Sequence, residues 1–397
     1  MEEKKTKKKK KYTVKHHRLH KFVWGAARIF LPPHYRKKYG YTCNKMPETE
    51  TPYIVVSNHT MELDPIICGM SVGKHMYYIC GEHLMTGKAW KSLSLFFSPI
   101  PKYKGDIDIA PILEALRRIR AGYNILLYPE GSRSFNGETE PVSTAIGSFI
   151  RTAKCGLVTF RSHGGYFTEP RWAYTARVGK IGGTIQNVFS KEEVAKMTPA
   201  EITEIVNRDL HENAYERQRK DMIPYRGERL AEGLDNYLIL CPVCGGLDTM
   251  ETKDDKFSCT CCGTGGRYTE YGFLEGEGLR YDSVYDWGVW EKQAFNEKYA
   301  DVAPDEKLFS DDDVVLKEIA PDHTRVEKAK GTLTAYADRM EIGEETFLFS
   351  DITGMDMLYY GKTLVFTVGR RHLNITGERY HAIKYNWLYN LYSKKNG

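Results

Sequence analysis

Over the first 220 positions, short apolar and β-branched runs alternate with longer stretches of helical spacing. Residues 53–56 (Tyr-Ile-Val-Val), 76–80, 124–128 and 157–160 read as buried strands. Residues 83–95, 109–121 and 145–154 read as helices. In 109–121 the apolar side chains at 109, 112, 113, 116 and 119 form one stripe, and Gly122 is placed to end it. Gly156 is expected to end the helix at 145–154, and 96–100 reads as an extended segment limited by Pro99. The pattern weakens over 170–188, which reads as extended. It becomes charged and helical over 191–220, where Thr198-Pro199-Ala200-Glu201 marks a helix start. Such alternation predicts an α/β fold with a mostly parallel sheet flanked by helices. The pattern lapses at 221–236, which is taken as a domain boundary. Later, 331–336, 346–349, 355–360, 363–368 and 371–375 read as successive strands separated by turn signals, before a closing amphipathic helix at 380–392.

The first strand runs straight into Asn58-His59-Thr60-Met61-Glu62-Leu63-Asp64-Pro65. Asp64 is expected to cap a helix that Pro65 begins. On one regular helix His59 and Asp64 would lie about 140° apart, at roughly 100° per residue, so a turn is needed to bring them together. An imidazole held by a carboxylate has its tautomer fixed and its basicity raised, as a general base for a hydroxyl requires. Taken alone, the pair is equally a surface His and Asp around a turn.

The strand at 124–128 enters a second polar loop, Pro129-Glu130-Gly131-Ser132-Arg133-Ser134. Loops at strand ends are where open α/β sheets hold ligands. Arg133 can grip a phosphate bidentately, Ser132 can add a donor, and Glu130 can orient Arg133 or a ligand hydroxyl. Alone, this loop is also readable as a polar turn with a surface ion pair.

The two motifs in this order resemble the glycerolipid acyltransferase family, and more closely the 1-acylglycerol-3-phosphate (lysophosphatidic acid) acyltransferases, over roughly residues 20–220. The resemblance implies that His59 is the general base, that Asp64 orients it, and that Glu130, Gly131, Ser132 and Arg133 bind the glycerol phosphate. Ser132 stands where the family usually has Thr and keeps the hydroxyl. In the middle block, Lys102 and Lys104 stand where the family has Arg; lysine supplies charge without the planar fork. The fourth block, Leu157-Val158-Thr159-Phe160 followed by Arg161-Ser162-His163-Gly164-Gly165, departs from the usual valine-flanked proline. The chemistry implied is direct acyl transfer from a thioester, acyl-CoA or acyl carrier protein, to a lysophospholipid acceptor. The Asn58 side chain or a helix N-terminal amide would stabilise the oxyanion. A different lipid acceptor, or a non-catalytic membrane-associated scaffold, are the alternatives.

Charge changes the picture at the amino end. Residues 1–21 carry ten Lys/Arg and three His against Glu2 and Glu3, although the net charge of the whole chain is only +5. This basic tail lacks the apolar core of a signal peptide. The segment after it, 22–31, is short, aromatic at both ends and expected to stop at Pro32-Pro33. Together they suit an anionic membrane surface better than nucleic acid, for which no reader is expected. No run approaches 18 apolar residues, so a peripheral, cytoplasmic enzyme on the inner membrane face is expected.

Five of the nine cysteines lie at 241, 244, 259, 261 and 262. Cys241-Pro242-Val243-Cys244 and Cys259-Thr260-Cys261-Cys262 are two Cys-x-x-Cys knuckles, each followed by glycine. Four thiolates so spaced resemble a zinc ribbon with a closed structural Zn2+ site on Cys241, Cys244, Cys259 and Cys262. Cys261 is the spare. The strands beyond it resemble a small β-barrel of pleckstrin-homology-like type, open to a protein partner. The expected divisions are therefore a basic tail (1–21), an acyltransferase domain (22–230), a zinc ribbon (236–270) and a β-rich domain (271–397).

Overall fold

The computed structural model describes residues 12–85, 95–105, 109–320 and 323–393. Most of the basic tail, and most of the helix expected at 83–95, lie outside them.

Among the described residues the first element is α1 (His17–Tyr39), which leads into β1 (Thr42–Cys43). It continues as β2 (Tyr53–Ser57), α2 (Asp64–Val72), β3 (Met76–Gly81), β4 (Ile100–Lys102), α3 (Ala110–Arg120), β5 (Asn124–Leu127), α4 (Ala145–Ala153), β6 (Gly156–His163) and β7 (Gly182–Phe189). The first sheet has the order β1-β7-β6-β2-β5-β3-β4. All its pairings are parallel except β6 with β7. Continuous apolar runs suit such strands because both faces are covered. Ile54, Val56, Ile125, Leu127 and Leu157 pack on the face shared with α3 and α4. Tyr53, Val55, Leu126 and Val158 pack on the face shared with α1 and α2.

Several expected boundaries move. The amino-terminal helix does not stop at Pro32-Pro33 but runs on to Tyr39, ending at Gly40 in the left-handed region. Interior proline costs a helix about 3 kcal/mol, and here burial of Tyr35 and Tyr39 offsets it. Lys154 in the left-handed conformation ends α4, and Gly156 instead opens β6. Residues 95–97 are helical rather than extended. The charged stretch is three helices, α5 (Lys191–Lys196), α6 (Pro199–Leu210) and α7 (Ala214–Asp221). Reciprocal capping boxes at Ser190/Glu193 and Thr198/Glu201 start the first two.

Beyond them, β8 (Met250–Lys253), β9 (Lys256–Cys259), β10 (Gly265–Tyr268) and β11 (Leu274–Glu275) make a four-stranded antiparallel sheet. Helix α8 (Val284–Tyr299) follows, and the sequence pattern had not indicated it. The last sheet comprises β12 (Phe309–Ile319), β13 (Arg325–Ala335), β14 (Arg339–Ile342), β15 (Glu345–Leu348), β16 (Ile352–Leu358), β17 (Thr363–Val368) and β18 (Arg371–Thr376), before α9 (Ala382–Ser393). Its order β15-β14-β13-β12-β18-β17-β16 is antiparallel throughout, a half-barrel in keeping with the small β-barrel-like domain expected. One buried cluster runs from Tyr166 and Trp172 through Leu230 and Leu234 to Phe366 and Trp387. The half-barrel is thus packed against the first sheet's loops.

Candidate active site

Strands β2, β5 and β6 are parallel neighbours, so the segments leaving their carboxyl ends emerge on one side of the sheet. The loop after β2 carries His59 and the loop after β5 carries Glu130. Lys104 follows the end of β4, which is parallel to β3.

His59 Nδ1 lies 2.9 Å from Asp64 Oδ2. Asp64 is the first residue of α2, not its cap; Leu63 holds that position. Its fully buried carboxylate reaches back over the turn, accepting from the backbone N–H groups of Thr60 and Met61 and from the Thr60 hydroxyl. The turn therefore closes on the carboxylate, and the carboxylate fixes the ring. With Nδ1 donating to Asp64, Nε2 is the basic nitrogen. The ring stacks on Tyr128, with centroids 4.3 Å apart. Burial pushes the imidazole below its ordinary value; Asp64 opposes this, and the cations Arg133 and Lys104 add to it. Near neutral pH the imidazole is therefore the neutral form that a base requires.

Asn58 does not face the site as an oxyanion donor. Its Nδ2 donates to the Ser162 carbonyl at 3.0 Å, and its Oδ1 accepts from the Ser162 N–H at 2.7 Å. The buried amide ties the His59 turn to β6 with both ends.

Glu130 does not orient Arg133. It accepts from the His59 N–H at 2.7 Å and from the Glu140 N–H at 3.2 Å, and burial raises its carboxyl to about 8 against those two bonds. Gly131 adopts φ 76°, the left-handed region that the turn requires. Arg133 instead contacts Glu62 at 3.5 Å and Glu169 at 3.4 Å. These are long contacts, and Glu62 is two-thirds exposed, so the guanidinium can turn toward a ligand.

Ser132 and Lys104 meet, with Lys104 Nζ 2.6 Å from Ser132 Oγ. Burial lowers the Lys104 ammonium to about 8, while Asp356 supports its charge. Lys102 ends β4 and enters none of these contacts. Two residues of this cluster were not anticipated. Arg171 lies in the stretch where the pattern is weak, and it donates to the Arg133 carbonyl at 3.0 Å. Asp356, on β16, accepts from Arg171, Lys104 and Ser132. No local pattern marks either residue.

In the four-stranded sheet region, Cys241, Cys244, Cys259 and Cys262 bring their sulfurs within 4.8 Å of one another. Cys241–Cys262 and Cys244–Cys259 are each 3.7 Å apart. A tetrahedron with metal–sulfur bonds of about 2.3 Å has edges of roughly 3.8 Å, so the thiols fit a metal, whereas a disulfide would be about 2.05 Å. Gly245 and Gly263, at φ 72° and 75°, curl each knuckle. Their N–H groups donate to the carbonyls of Cys241 and Cys259. Cys261 is exposed and outside the group.

Residues 39–162, which hold His59, Asp64, Glu130 and Arg133, match the family model described as Acyltransferase. That stretch is therefore similar to an acyltransferase domain. A chloroplastic 1-acyl-sn-glycerol-3-phosphate acyltransferase from Brassica napus is 25% identical over 149 residues, 37% of this chain. The chain spans 42% of that relative's length. The crystal structure of a 1-acyl-sn-glycerophosphate acyltransferase, PlsC, from Thermotoga maritima is 17% identical, with a TM-score of 0.41 over 50% of this chain and 82% of that one. Both matches leave much of the chain uncovered, and the stretch that matches the family model ends at residue 162, before the cysteine cluster and the half-barrel.

Proposed function

We propose that this protein is an O-acyltransferase moving a fatty acyl group from an acyl thioester, acyl-CoA or acyl carrier protein, to the free hydroxyl of lysophosphatidic acid, giving phosphatidic acid. The observation that carries the reading is the His59–Asp64 pair, with Nε2 left basic, beside a cluster of cations. His59 takes the acceptor's hydroxyl proton as the oxygen attacks the thioester carbonyl. Collapse of the tetrahedral intermediate breaks the C–S bond, and the imidazolium returns the proton to the leaving thiolate. Asp64 stabilises the imidazolium. Arg133, Ser132 and Lys104 hold the acceptor's phosphate, which positions the hydroxyl.

The acyltransferase activity is assigned to 22–230, a zinc ribbon to 236–270 and a β-rich module open to a protein partner to 271–397. The four thiolates would hold a structural Zn2+, stapling two knuckles together. An anionic membrane surface at the cytoplasmic face is the proposed working place. Phe22, Ile29 and Phe30 share one face of α1 and are two-thirds or more exposed, next to the basic tail. Among the described residues no helix is long and apolar enough to cross a membrane.

The test is release of free thiol from acyl-CoA with lysophosphatidic acid, compared with other lyso-lipids and with His59→Ala. Preferred turnover of lysophosphatidic acid that His59→Ala abolishes, in a folded chain, supports the proposal. Full activity in His59→Ala overturns the mechanism.

A further inference from the structure

The cation cluster beside His59 already holds an anion, and this chain supplies it. Asp356 lies 224 residues beyond Ser132, on edge strand β16 of the half-barrel. Ser132 Oγ donates to its Oδ2, Lys104 Nζ approaches the same oxygen at 3.1 Å, and Arg171 Nη2 donates to Oδ1 at 2.9 Å. The Met357 N–H adds a fourth donor to Oδ1. Burial would raise this carboxyl, but Lys104, Arg171 and Ser132 outweigh it and hold the group well below the usual carboxylate range.

The docking is close. A Cβ at Gly105 would stand 3.0 Å from the carbonyl oxygens of Gly354 and Val365, so the loop after β4 lies backbone to backbone against β16 and β17. Arg171 also donates to the Met357 carbonyl at 2.6 Å and lies over Phe135 at 4.1 Å. The half-barrel thus presents one carboxylate to the donors that a phosphate monoester would use. Ammonium, guanidinium and hydroxyl donors serve either anion. They cannot serve both at once, because two like charges a few ångströms apart in a partly buried site repel strongly.

Resting on the proposed reading that Lys104, Ser132 and Arg133 hold the acceptor's phosphate, we infer that Asp356 is a built-in competitor for that phosphate, which enters by displacing it. The half-barrel then sets the affinity for phosphate-bearing acceptors. An acceptor without a phosphate monoester leaves Asp356 in place.

The experiment compares the full-length chain with Asp356→Asn, using glycerol 3-phosphate as a soluble head-group probe in titration calorimetry. Removing the carboxylate's charge should tighten glycerol 3-phosphate binding about tenfold or more. It should also lower the KM for lysophosphatidic acid while leaving that for monoacylglycerol in place. A folded variant that binds the probe no better than the native chain overturns the inference, and marks Asp356 as a purely structural tie. If the variant fails to fold, hydrogen exchange on the native chain decides. Saturating glycerol 3-phosphate should speed exchange in 352–358, and unchanged exchange there overturns the inference. Absence of thiol release with any lyso-lipid in both chains would sink the acyl-transfer reading alone, because the binding shift is read without turnover.

Discussion

The backbone N–H of His59 donates to the Glu130 carboxyl at 2.7 Å, although 71 residues separate them. One loop's backbone is thereby fixed by the other loop's side chain, so the His59 turn and the Glu130–Arg133 loop share one geometry. Neither loop is set by its own sequence alone. Burial, opposed by this bond and by the one from the Glu140 N–H, raises the Glu130 carboxyl to about 8.

That shift has a sign. A carboxyl raised in the folded state contributes stability that is present at low pH and lost as pH rises through the folded value. The native chain should therefore lose melting temperature between about pH 5 and pH 8.5 more steeply than Glu130→Gln, which has no charge to develop. Thermal melts across that range check it, and equal slopes would count against the placement of Glu130.

Acyl transfer should rise with pH through an inflection below the ordinary imidazole value of about 6.5, since burial lowers His59 and the neutral ring is the active form. Asp64→Asn should cut turnover by about 10²–10⁴-fold, because the ring loses its tautomer and orientation. An inflection above the ordinary imidazole value, or a rate that falls as pH rises toward neutrality, would argue against His59 as the base.

Arg133→Ala should raise the KM for lysophosphatidic acid roughly tenfold, with a smaller effect on kcat, as expected where binding rather than chemistry is lost. Its contacts with Glu62 and Glu169 are long, so little stability should go with it. An unchanged acceptor KM would remove Arg133 from the phosphate site.

Asn58→Ala leaves the N–H and C=O of buried Ser162 without their side-chain partners. A cost of about 1–3 kcal/mol is expected in denaturant unfolding. A loss below about 0.5 kcal/mol would mean that the amide is not the tie between the turn and β6.

Metal analysis of the purified chain should find one zinc ion per molecule. Cys244→Ser should lower that content and the melting temperature together. Cys261→Ser, outside the sulfur cluster, should change neither. Full zinc retention in Cys244→Ser would undo the assignment of ligands.

Motifs that act through neighbouring residues were legible in the chain. The turn from His59 to Asp64, the loop from Glu130 to Arg133 and the two cysteine knuckles each sit at a strand end or tight turn, and local spacing is enough to mark them. Local reading failed where a long-range contact overrode it. Pro32-Pro33 reads as a helix stop, yet Tyr35 and Tyr39 find the core and the helix continues. Asn58 reads as a donor beside the base, yet Ser162, 104 residues away, takes both ends of its amide. Strand β12 carries three successive aspartates that break its pattern, and β14, though it alternates, is only four residues long, so neither was read as a strand.

By itself the sequence determined the chemistry available: an imidazole beside a carboxylate, a Glu-Gly-Ser-Arg turn, and four thiols at metal spacing. Apolar periodicity determined that the strands would be buried on both faces and therefore mostly parallel. Only the tertiary structure decided which charges share a site. Parallel pairing brings the ends of β2 and β5 together, and packing of β16 against the loop after β4 delivers Asp356 to Lys104, Ser132 and Arg171. Coulomb and hydrogen-bond energies depend on separation in space, and separation along the chain does not encode it.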